Sequence, residues 1–262
     1  MAITKEQVAS LKGRGFLRNR GTDAFSGRVI TAGGVYSAED LKIIAQCAEI
    51  YGNGKVCFTS RLSAEIVGID ADKVDAAESF LAEHGLSFGG TGARVRPITA
   101  CKGTVCVFGI LDTQALARAL HERFYIGMHD VAMPHKFKIG IGGCPNSCMK
   151  PSLNDVGIEA RMRYSEATKQ AERVWLVTVG GTWGKTRRDG TPLSFNVSPD
   201  KIEDTVEAIM LWYRENGYRG ERLGVTVDRV GLTSLEAGIL DGSLLARRDA
   251  ILASAIAERP AT

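Results

Sequence analysis

The chain has 262 residues, 44% of them apolar and 24% charged, a balance that builds a buried core and is that of a globular protein rather than of a disordered or membrane chain. Its formal net charge of +3 is too small to imply nucleic-acid binding by itself. No apolar run approaches the roughly 20 residues that span a bilayer, and residues 1–11 are too polar for a signal-peptide core, so the expected location is the cytoplasm.

Positive charge crowds the first thirty residues, at Lys12, Arg14, Arg18, Arg20 and Arg28. It reads either as a flexible basic arm or as a surface for a cofactor with many carboxylates. Residues 27–32 predict a strand, closed by the Gly33-Gly34 turn. A helix follows, capped by Ser37 with Asp40 three residues on, and Leu41, Ile44, Ala45 and Ala48 are expected on its apolar face. Gly52-Asn53-Gly54 stops it. Strands are predicted at 55–60 and 64–69, then a helix over 70–84 with Val74, Ala77, Phe80 and Leu81 inward. The order β-α-β-β-α describes a ferredoxin-like half-domain. Residues 85–92 hold four glycines and read as a linker.

Beyond it come a predicted helix over 112–125 and strands over 136–143, 155–161, 174–180 and 192–197. An amphipathic helix over 199–216 carries Ile202, Val206, Ile209, Met210 and Trp212, with Ser198 as its expected N-cap and Gly217 as its C-cap. One or two small helices complete the chain over 232–257. The fold class is therefore α+β, a half-domain at 1–90 followed by an α/β domain at 91–231 and a helical tail at 232–262.

In a reducing cytosol the six cysteines are thiols or metal ligands rather than disulfides. Cys101 and Cys106 are spaced Cys-x4-Cys, and Cys144 and Cys148 are spaced Cys-x3-Cys, both among glycines that allow close backbone approach. Four thiolates suit an iron-sulfur cluster. Spacing alone also admits a zinc site or unrelated buried thiols. Cys47 and Cys57, without partners at ligand spacing, read as buried free thiols.

Just before the second pair, Lys136 and Lys138 alternate on a predicted strand and would share a face. Two ammonium groups in one cavity repel, so the pair persists most easily where an anion compensates; a solvated edge is the other reading. Arg61 follows a strand, and Arg94 and Arg96 alternate before Cys101. With the lysines they make a cationic set suited to oxygen-rich anions, which arginine grips with two hydrogen bonds.

These segments together resemble the siroheme-dependent sulfite and nitrite reductases, especially small single-repeat members of the assimilatory type and the catalytic subunit of anaerobic sulfite reductases. FSGRVITAGG (25–34), KVCFTSR (55–61), GARVRPITACKGTVC (92–106), PHKFKIGIGGCPNSCMKP (134–151) and GGTWGK (180–185) fit family motifs in family order, over roughly residues 12–231. The most specific element is KFK running into GCPNSC. The resemblance implies siroheme and a 4Fe-4S cluster as cofactors and Cys101, Cys106, Cys144 and Cys148 as cluster ligands, with Cys148 bridging to the siroheme iron. It implies Arg61, Arg96, Lys136 and Lys138 as substrate-binding and proton-supplying residues, and Arg28, Arg94 and Asn146, with Arg61, among those that hold siroheme. Four residues rather than the five of many larger members separate the first two cysteines. Leu62 stands where a glutamine is frequent, only one repeat is present, and no CxxCxxC run follows Cys148.

The implied reaction is reduction of sulfite to sulfide, with electrons from an external donor such as a ferredoxin or a reductase subunit. Nitrite is the alternative substrate. Rival readings are a siroheme-free iron-sulfur electron carrier and a zinc-stabilised structural protein. GGTGAR (89–94) lacks the strand-to-helix context of a dinucleotide fingerprint. A homodimer is expected, because double-repeat relatives build the site between two halves.

Overall fold

The computed structural model describes residues 3–166 and 168–260 and divides the chain into two compact units, Met1–Gly92 and Ala93–Thr262. In the first unit, strands β1 (Phe16–Arg18), β2 (Ala24–Val29), β3 (Val56–Phe58) and β4 (Ala64–Asp70) form an antiparallel sheet ordered β1-β2-β4-β3. Helices α1 (Lys5–Gly13), α2 (Ala38–Tyr51) and α3 (Val74–Glu83) accompany it. The Ser37 hydroxyl accepts the Asp40 N–H while the Asp40 carboxylate accepts the Ser37 N–H, so an aspartate closes the capping box in place of glutamate.

Three details of this unit differ from expectation. Helix α2 buries Ile43, Ile44, Cys47 and Ala48, while Leu41 and Ala45 face solvent. Both stripes have helical spacing, and the sheet selects the one with the larger β-branched side chains. The basic stretch is not a flexible arm. Residues 5–13 are helical, the guanidinium of Arg14 pairs with Asp75 and Glu78, and that of Arg28 pairs with Glu65. Cys57 is exposed on edge strand β3, whereas Cys47 is buried. Burial pushes the Cys47 thiol up to about 12, because a thiolate is poorly solvated there. Iodoacetamide at pH 8 should therefore label Cys57 in the folded protein and spare Cys47, as peptide mapping would show. Labelling of Cys47 at the Cys57 rate would contradict the placement.

The second unit is built on a mixed sheet ordered β5-β6-β7-β8-β9, from β5 (Thr99–Ala100), β6 (Ile139–Gly142), β7 (Val156–Ser165), β8 (Gln170–Val179) and β9 (Thr191–Pro192). Strands β5, β6 and β7 run parallel, and β7, β8 and β9 antiparallel. The strand expected at 192–197 is reduced to β9 and one bridge between Trp175 and Val197. Helix α4 (Thr113–Leu120) passes into a π-helical turn at His121–Ile126.

The long helix α5 (Ile202–Asn216) is buried from Thr205 to Arg214 and carries Val206, Ile209, Met210 and Trp212 into the core. Ser198 does not cap it. Its hydroxyl instead donates to the Asp200 carboxylate, and a 3-10 turn at Pro199–Lys201 leads into the helix. Helices α6 (Leu223–Val230), α7 (Leu232–Leu240), α8 (Ser243–Ala246) and α9 (Arg248–Ala253) follow. Leu235, Leu244 and Ile251 enter the same core as the sheet. The buried Arg214 donates from its guanidinium to the carbonyls of Ile251, Leu252 and Ser254, which fastens the last helix to α5.

Candidate active site and cysteine loops

The parallel pairing of β5 with β6 sets Thr99 opposite Gly140 and Ala100 opposite Ile141. It continues upstream as a bridge between Val95 and Phe137, made by the Arg96 N–H to the Phe137 carbonyl (2.8 Å) and the Phe137 N–H to the Arg94 carbonyl (3.0 Å). Val95 and Phe137 are buried in the core. Alternation along extended chain then turns Arg94 and Arg96 on one segment, and Lys136 and Lys138 on the other, to the opposite face. The regular strand starts only at Ile139, so the bridge at Phe137 orients the two lysines.

His135 lies within this positive field. Burial, and then the charges of Lys136, Arg222, Arg96 and Lys138, hold its imidazole below the usual histidine range. Arg222, which no motif marks, thus belongs with Arg96, Lys136 and Lys138. Its guanidinium donates to both oxygens of Asp155 (2.8 and 2.9 Å from Nη2), and the same carboxylate accepts the Lys138 N–H at 2.9 Å. Asp155 is fully buried. Burial pushes its carboxyl upward and the Arg222 guanidinium works against that. An acid directly before the apolar start of β7, Val156 to Ile158, was the available signal, because such a buried charge requires a partner.

The remaining expected residues are distributed as follows. Arg94 donates to Nε2 of His129 at 2.9 Å. Asn146 is exposed in the second cysteine loop. Arg28 and Arg61 belong to the first unit. The Arg28 guanidinium is engaged by Glu65, at 2.8 Å from Nε, and the Arg61 N–H reaches the Thr59 hydroxyl at 3.2 Å. Leu62, next to Arg61, is left-handed at φ 60°.

Both cysteine pairs leave the same end of the parallel strands, Cys101 after β5 and Cys144 shortly after β6. The Cys101 sulfur accepts N–H groups of Gly103 (3.4 Å) and Gly143 (3.2 Å), one from each loop. The Ile110 N–H binds the Gly143 carbonyl at 2.8 Å. A Cβ on Gly109 would lie 2.2 Å from the Gly103 carbonyl oxygen, so the first loop closes only with glycine there. All four thiols are free. Among the described residues no three histidine, cysteine, aspartate or glutamate side chains are gathered at metal-holding distance. Ser147 (φ 52°) and Lys150 (φ 46°) hold the second loop in left-handed backbone that non-glycine residues rarely adopt.

Known proteins match this arrangement. The family model for the nitrite and sulphite reductase 4Fe-4S domain matches residues 91–241, and that for the nitrite/sulfite reductase ferredoxin-like half domain matches residues 18–84. The chain belongs to the nitrite and sulfite reductase family.

Among the relatives of this reductase-family chain, an assimilatory-type sulfite reductase of Nitratidesulfovibrio vulgaris is 30% identical over 79% of this chain and 88% of its own length. A coenzyme F420-dependent sulfite reductase of Methanocaldococcus jannaschii is 38% identical over 53% of this chain and 22% of its own. The chain thus spans under a quarter of that longer relative. The solved structure of the Mycobacterium tuberculosis NirA protein superposes with a TM-score of 0.80 at 19% identity, covering 99% of this chain and 49% of that one. The larger part of the chain, residues 91–241, is thus a 4Fe-4S domain of the kind found in nitrite and sulfite reductases.

The residues present fit both a 4Fe-4S cluster and siroheme. A sulfur that already accepts two backbone N–H bonds suits a cluster thiolate, since such bonds tune cluster potential. A face of two arginines and two lysines suits a macrocycle with many carboxylates or an oxyanion. Gly109→Ala should then lower the iron and sulfide content per chain by at least half, because the added carbon displaces the backbone that presents Cys101 and Cys106. A full iron and sulfide complement in the variant would count against the loop's role.

Proposed function

We propose that the protein reduces sulfite to sulfide at siroheme, with electrons delivered through a 4Fe-4S cluster from an external donor. The observation that carries this reading is the bridge between Val95 and Phe137, which turns Arg94, Arg96, Lys136 and Lys138 away from the core, on the two segments that run on into the cysteine loops. Cys101, Cys106, Cys144 and Cys148 would hold the cluster, and Cys148 would join it to siroheme. Arg94, Asn146 and Cys148, with Arg28 and Arg61, would hold siroheme. When bound, siroheme would supply the redox chemistry that the side chains lack.

The residues do the rest. Arg61, Arg96, Lys136 and Lys138 bind the oxygens of the anion and offset its charge. Lys136 and Lys138 donate protons from Nζ as each oxygen leaves as water, so general-acid transfer adds to electrostatic stabilisation. Arg222 and Asp155 fix the lysine segment and the local field.

Protein purified without oxygen should show siroheme absorption together with iron and sulfide. Iron and sulfide without porphyrin absorption would mark an electron carrier, and zinc alone a structural site. Nitrite is the second substrate, since the same cations accept either anion and the family description names both. The ratio of turnover with sulfite and with nitrite separates them. A homodimer is the working assembly, to which the exposed Val105, Val107 and Phe108 beside Cys106 offer an apolar contact. The working location is the cytoplasm, and no described helix is long and apolar enough to cross a membrane. A fully active monomer in sedimentation would exclude the dimer.

A further inference from the structure

Three rings stand in a row one turn apart at the end of α4, in the π-helical turn and just beyond it. His121 stacks on Tyr125, with centroids 5.0 Å apart and planes 14° apart, and Tyr125 meets His129 edge-on at 5.8 Å. The first two rings are buried, His121 at 9% and Tyr125 at 4% exposure. The third is exposed, and its Nε2 lies 2.9 Å from Nη1 of Arg94. A guanidinium only donates, so Nε2 of His129 is the acceptor and any ring proton sits on Nδ1. The bond therefore requires a neutral His129. Burial also holds His121 below the usual histidine range, which keeps positive charge out of the buried end of the row.

The backbone on both sides is fixed. The Met133 N–H binds the Ala93 carbonyl at 2.9 Å, next to Arg94, and the Gly127 N–H binds the Glu122 carbonyl at 2.9 Å across the π turn. An α-helix of ordinary pitch would present position 129 differently, and π turns recur where a helix must aim a functional side chain. Arg94 has a long side chain with about 2 kcal/mol of rotamer entropy. An acceptor on a ring held by another ring removes part of that freedom before any anion arrives.

We propose that His129 is a positioning residue that holds the Arg94 guanidinium ready on the cationic face to grip a carboxylate of the bound tetrapyrrole, with Tyr125 and His121 fixing its ring. This rests on the reading above that Arg94 is a siroheme contact. The row does not touch the reacting atoms, and its effect passes through Arg94.

The test uses the holoenzyme purified without oxygen and reads siroheme retention. The rate at which siroheme leaves is followed on dilution into excess apo-protein acceptor, with iron and sulfide content read in parallel. His129→Phe keeps a ring and loses the acceptor, and should speed siroheme loss about tenfold with the cluster complement unchanged. His129→Gln restores an acceptor and should recover all but about threefold of that loss. Arg94→Met should show the same loss, and adding His129→Phe to it should change nothing further, the coupling expected of one shared bond.

If His129→Phe retains siroheme like the parent while Arg94→Met loses it, the positioning role is overturned and the Arg94 contact stands. If neither variant loses siroheme, the Arg94 reading fails and the proposal falls with it. If His129→Phe and His129→Gln both lose the cluster as well, the row is structural and the proposal is overturned.

Discussion

Lys136→Met should cut turnover by about 100-fold or more while leaving the visible spectrum and the cluster content nearly intact. Removing a positioned proton donor removes general-acid assistance, which contributes about 10²–10⁴-fold, and here it also removes one unit of positive charge facing an anion. The spectrum should survive because Lys136 is not a ligand of either cofactor in the proposed site, and methionine keeps the length of the side chain. Phe137, its neighbour, still anchors the segment by the bridge to Val95. Steady-state assays with reduced methyl viologen and sulfite, beside absorption spectra, make the comparison. Unchanged turnover would remove Lys136 from the mechanism, and a lost spectrum would recast it as a cofactor contact.

Asp155→Ala is the largest stability change expected, about 3–5 kcal/mol, the usual cost of breaking a buried ion pair from one side. The carboxylate is fully buried, and its loss strands the Arg222 guanidinium, which is 17% exposed, and the Lys138 N–H. All three tryptophans, Trp175, Trp183 and Trp212, lie in this unit, so their fluorescence during chemical denaturation reports the effect. A companion pair, Asp155→Leu with Arg222→Met, should recover much of the loss, because an apolar replacement leaves no orphaned charge. That double variant should still bind sulfite more weakly than the parent, since Arg222 also adds to the positive field at His135. A loss under 1 kcal/mol for Asp155→Ala would show that the pair is solvated in practice.

The order of elements was legible because strand and helix periods, capping residues and glycine turns are local properties. Ser37 with Asp40 marks the start of α2 and Gly217 follows α5. The cysteine spacing, and the alternation of Lys136 with Lys138 and of Arg94 with Arg96, were legible for a different reason: each is written along one segment. What failed locally failed where two answers had equal local merit. Helix α2 has two apolar stripes, and Cys57 on a short strand reads as buried until β3 proves to be an edge.

Only the tertiary structure decided which segments meet. That Val95 pairs with Phe137, and so brings two arginines and two lysines to one face, depends on a parallel pairing of residues 42 positions apart (137 minus 95). The partnership of Asp155 with Arg222 spans 67 positions, and that of Arg94 with His129 spans 35. Side-chain direction within a segment follows from backbone period, which the amino-acid sequence carries by itself. The meeting of distant segments is set by the burial of Val95, Phe137 and the helices behind them, a property of the whole packed core that no single stretch of sequence contains.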